Sequence, residues 1–67
     1  MYQVILKSGI QTNVLDYPSK SMANNYVLEK ASEMGLDYGY DMDGFAFAHN
    51  DVIRPSEEIY ILEISEI

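Results

Sequence analysis

A chain of 67 residues without a single cysteine has few ways to hold itself together. A domain of this size buries only about 60% of the surface that its unfolded chain exposes. Small scaffolds therefore usually add disulfides, a metal or a partner chain. Disulfides and thiolate zinc sites are excluded here, and one histidine cannot replace the missing soft ligands. The chain must rely on tight packing or on association, and the expectation is a single domain, residues 1–67, that forms a homodimer.

Local patterning gives an α+β chain in the order β-β-α-β-β-β. Tyr2, Val4 and Leu6 alternate along a first strand over residues 2–7. Ser8-Gly9 reads as the tight turn, and Ile10 to Tyr17 as a half-exposed return strand closed by Pro18. Ser19 to Met34 is the one helix, capped by Ser19 or Ser21 and stopped by Gly35. Its apolar stripe is Met22, Ala23, Tyr26, Val27, Ala31 and Met34. Asn24, Asn25, Glu29, Lys30 and Glu33 fall largely on the other side.

Residues 37–49 read as a hairpin turning at Asp43-Gly44. That register sets Met42 against Phe45, Tyr40 against Phe47 and Tyr38 against His49, with every large side chain on one face and Ala46 and Ala48 on the other. Asn50 to Glu57 is then a loop, and residues 58–66 the last strand. Its continuous apolar run, Ile59-Tyr60-Ile61-Leu62, suits a strand buried on both faces or one covered by a partner. The whole is a single helix on a four- or five-stranded, mostly antiparallel sheet.

Charge narrows the function. The chain carries 11 acidic against 4 basic side chains, a net charge of −7. Direct nucleic-acid binding needs Lys and Arg to neutralise phosphates, and Lys7, Lys20, Lys30 and Arg54 are scattered. An anionic membrane is disfavoured for the same reason. No apolar run reaches the roughly 18 residues of a bilayer span, and the first residues do not read as a signal peptide. A cytoplasmic protein is expected.

No enzymatic constellation emerges. Asp41, Asp43 and Gly44 faintly suggest a calcium loop, but Gly39 and Asn50 stand where two critical ligands belong. His49 could act with Asp51, Asp41 or Glu57 as a general base, yet no nucleophile motif or phosphate loop accompanies it. The expectation is a non-enzyme with no metal and no cofactor.

The acids are unevenly placed. Residues 1–28 hold Lys7 and Lys20 against Asp16, net +1; residues 29–67 hold the other ten acids against Lys30 and Arg54, net −8. Glu29, Glu33, Asp37, Asp41 and Asp43 are expected to form an acidic face that engages a protein partner with a basic surface. Alternate strand residues lie about 6.6–6.8 Å apart, comparable to two phosphate steps of about 3.4 Å along one DNA strand. A small inhibitor of the kind phages and mobile elements direct at nucleic-acid machinery would have this character. Two alternatives share the composition. One is an acidic antitoxin. The other is a homo-oligomeric accessory or structural subunit that binds through apolar strands and tyrosines. Self-association is expected at Tyr2, Ile59 and Ile61, on terminal strands taken as sheet edges.

Overall fold

The computed structural model describes residues 1–50 and 58–67. It comprises β1 (Tyr2–Ser8), β2 (Gln11–Tyr17), α1 (Lys20–Met34), β3 (Asp37–Tyr40), β4 (Ala46–His49) and β5 (Tyr60–Glu66). The strands form one five-stranded sheet, β2-β1-β5-β4-β3, in which every pair is antiparallel. This is the α+β architecture, in the element order, that the patterning indicates. The expected loop Asn50–Glu57 lies, apart from Asn50, outside the described residues, as do Asp51, Arg54 and Glu57.

The helix begins where its cap is supplied. Ser19 has an extended backbone, and its Oγ accepts the Met22 N–H at 3.2 Å. It ends at Gly35, which is left-handed at φ 68° and ψ 33°. The Leu36 N–H then reaches back to the Ala31 carbonyl at 2.8 Å, and Leu36 is buried beneath the last turn. α1 packs most extensively on β4. Its buried face is Ala23, Val27 and Ala31, set against Val4, Ala46, Ala48 and Leu62. Small side chains on both surfaces let helix and sheet approach closely. Met22 is half exposed and lies outside this stripe. Asn24, expected on the solvent side, instead faces the β3–β4 hairpin. Its amide donates to the Gly44 carbonyl at 3.0 Å and its oxygen accepts the Ala46 N–H at 2.9 Å.

Both hairpins differ from the expected turns. Ser8 pairs with Gln11, so the first turn is Gly9-Ile10, with Gly9 at φ 61° as the first position of a two-residue turn requires. Ile10 is a fully exposed turn residue. In the second hairpin Asp37 pairs with His49, Tyr38 with Ala48, Gly39 with Phe47 and Tyr40 with Ala46. That is one residue off the expected register, and a one-residue slip exchanges faces. The cause is local. Asp41 Oδ1 accepts the N–H groups of Asp43 and Phe45, both at 2.9 Å. The Asp41 N–H also bonds the Phe45 carbonyl at 3.0 Å. The turn is therefore three residues long, with Gly44 at φ 78°. The small Ala46 and Ala48 face the helix, while Phe47 turns to the other side. Tyr38 and Tyr40 share the helix side but, on the edge strand, remain 63% and 55% exposed.

The terminal strands are not edges. β1 and β5 pair with each other inside the sheet, and each has a second neighbour. Their backbone groups are used in ladders, which removes the strand-addition argument for Tyr2, Ile59 and Ile61. Tyr2 is half-buried, 5.9 Å from the Phe45 ring. Ile59 precedes β5, is exposed, and accepts the Gly9 N–H through its carbonyl. Ile61 lies half-buried opposite the helix. Among the described residues the two edges of the sheet are β2 and β3.

Candidate acidic interface

One face of the sheet carries α1; no described element covers the other. The register assigns that open face. A row crosses all five strands: Thr12, Lys7, Ile61, His49 and Asp37. A second row contains Val14, Ile5 and Glu63, with Phe47 and Gly39 paired at its far end. Phe47 leans across to β3 because Gly39 has no side chain: a Cβ there would stand 3.0 Å from the tip of the ring. This is the aromatic covering of a strand glycine. Phe47 and His49, two residues apart, stack at 6.4 Å between centroids and 7° between planes. The open face thus presents a flat aromatic pair between the carboxylates of Asp37 and Glu63.

The expected acidic residues fall into two groups. Asp37 and Asp41 stand on and just beyond β3, and Asp43 lies in the turn that follows. All three are exposed, and the structure brings them to one edge. Asp41 is committed to its own turn through the two bonds above. The Asp43 backbone carbonyl accepts from Lys20 Nζ, and that ammonium also lies 4.7 Å from the Phe45 ring centroid; the Asp43 carboxylate remains exposed. Glu29 and Glu33 belong to the outer surface of the helix. Glu33 meets Lys30 at 3.6 Å. Glu29 is close to β2, where it helps to raise the Tyr17 phenol above its ordinary range; burial is the largest cause, followed by Tyr26 and then Glu29. The five therefore do not form one continuous patch.

Glu63 and Phe47 are additions that the sequence reading missed. The alternation Ile61-Glu63-Ser65 against Tyr60-Leu62-Ile64 carried the signal for Glu63, but the apolar start of the strand masked it. Phe47 depended on the hairpin register.

All nine described carboxylates are exposed. Among the described residues only Glu33 is in an ion pair, no polar or charged side chain is buried, no pocket opens, and no group of three or more His, Asp or Glu is placed to hold a metal. No helix of the described residues is long and apolar enough to cross a membrane. Comparison with protein-family models, with curated proteins and with solved structures yields no match for this chain.

Proposed function

We propose that this chain is a small, non-enzymatic binding protein that docks on the basic surface of another protein and blocks nucleic acid from it. The supporting observation is the β3 edge and the open face beside it. Asp37 and Glu63 are exposed and flank the Phe47–His49 stack, and Asp43, also exposed, lies in the turn at the end of the same hairpin. An arginine suits such a surface, because its planar guanidinium stacks on aromatic faces and bonds carboxylates through a fork of donors. A nucleic-acid-binding groove is rich in such side chains. Occupying it is a matter of shape and charge, with no turnover. Glu29 and Glu33, on the helix, add to the long-range field that speeds encounter and stand outside the contact. A cytoplasmic setting, where such grooves work, agrees with a chain free of cysteine.

The test is capture from a cell lysate on the immobilised protein, followed by challenge of the captured proteins with duplex DNA. The wild type should retain nucleic-acid-binding proteins at low salt, release them at high salt, and lose them to DNA. The double reversal Asp37→Lys with Asp43→Lys should capture at least tenfold less, while Glu29→Lys with Glu33→Lys should cost only a few-fold. If the Asp37 and Asp43 reversal retains the same proteins in the same amounts, the proposal fails.

A further inference from the structure

The two edges of the sheet are unequal. β3 is four residues long, begins with Asp37 and runs into Asp41; short, charged strands discourage pairing. β2 is seven residues long, exposed along its length except at Tyr17, and carries one charge, Asp16. It contains no lysine and no proline. Among the described residues β2 pairs only with β1, and its outward backbone groups can be assigned. The two-residue turn makes Ser8 and Gln11 a hydrogen-bonded pair. Bonding and non-bonding pairs alternate along an antiparallel ladder. Gln11, Asn13, Leu15 and Tyr17 therefore bond to β1, and the N–H and C=O groups of Thr12, Val14 and Asp16 point away from the sheet.

We propose that β2 pairs antiparallel with β2 of a second copy about a twofold axis at Val14, joining two sheets into one of ten strands. This register sets Val14 opposite the partner's Val14 and Asp16 opposite the partner's Thr12, so the strand's one charge never meets itself. All the outward groups of Thr12, Val14 and Asp16 find partners. Val14 and Leu15, now 51% and 36% exposed, gain cross-strand neighbours on the two faces. Charge selects the same edge. A chain of net −7 repels its copy least through residues 1–28, where the balance is +1, and β1 and β2 lie there. The core adds a motive for association: among the described residues its largest fully buried side chains are only Leu62, Val4 and Val27, and the rest include four alanines. Both β3 edges remain at the outer ends of the joined sheet, so the dimer stands or falls independently of the proposed acidic interface.

Sedimentation equilibrium over a range of concentrations tests this, with circular dichroism confirming that each variant is folded. Wild type should approach twice the monomer mass as concentration rises. Val14→Pro removes an outward N–H and leaves the β1 ladder whole, so it should be monomeric. Should that variant fail to fold, Val14→Lys keeps every backbone donor, sets two ammonium groups face to face, and should weaken association at least tenfold. Tyr38→Lys, on β3, should associate as wild type does. A wild type that stays monomeric up to millimolar concentration overturns the proposal. So does a Val14→Lys protein that dimerises normally, or loss of the dimer in Tyr38→Lys.

Discussion

The Asp41 carboxylate accepts two backbone N–H groups of its own turn, and this separates its structural part from its charge. Asp41→Ala removes the acceptor and should cost about 1–2 kcal/mol; Asp41→Asn keeps an oxygen there and should cost less, which urea denaturation of the two variants will show. Asn24 does the equivalent from the helix. In Asn24→Ala the N–H of Ala46, a residue only 1% exposed, loses its acceptor, with an expected loss of about 1–3 kcal/mol by the same measurement. Tyr60 supplies a pH dependence. Its phenol donates to Glu58 Oε2 at 2.6 Å. That bond, with the Glu58 charge next and burial after it, holds the phenol above its ordinary value of 10.0. The folded state thus favours the protonated phenol. The contribution is complete below the unfolded value and is lost as pH rises through the higher folded one. An NMR titration of the Tyr60 ring should show its midpoint falling toward 10.0 in Glu58→Gln.

Gly35 ends α1 and Asn50 follows β4, each through its own chemistry. Gly35 is left-handed, and a Cβ there would meet nothing within 4 Å. The cost of Gly35→Ala is then conformational alone, about 1 kcal/mol, or a fall of about 4–8 °C in the melting temperature of a domain this small. A calorimetric scan reads it directly. At the other end of the sheet Asn50 clasps β5. Its amide donates to the Glu58 carbonyl at 2.7 Å and its oxygen accepts the Tyr60 N–H at 2.8 Å, which sets the register in which His49 meets Ile61. The row that runs from Lys7 to Asp37 across the open face depends on that register.

At the scale of the molecule, Leu62 and Val4 face α1 from the two strands at the centre of the sheet. Leu62→Ala should cost about 2–5 kcal/mol, a large share of the roughly 5–15 kcal/mol that ordinarily holds a domain together. A markedly lower urea midpoint at room temperature is the expected result. Surface charge acts differently. With nine exposed carboxylates on the described residues, added salt should screen their mutual repulsion and stabilise the fold modestly, while weakening any complex that rests on charge. The same salt series therefore moves folding and binding in opposite directions.

The helix and its limits were legible in the chain itself, because Ser19, the run through Ala23, Val27 and Ala31, and Gly35 act within a few residues of one another. So were two hairpins, the element order and the acidity of the second half. The order of strands was not: β1 meets β5 across nearly the whole chain, and no local pattern encodes a pairing at that separation, so the terminal strands read as edges when they are the centre. Nor was the face that Phe47 takes. A single residue of turn length, decided by Asp41 Oδ1 taking two N–H groups and by a helix that accepts only Ala46 and Ala48 of β4 against it, moved Phe47 and His49 out of the expected core and onto the open face. Residue type dictates local conformation; which side of a strand meets the helix, and which strand is left unpaired, depends on the assembled packing.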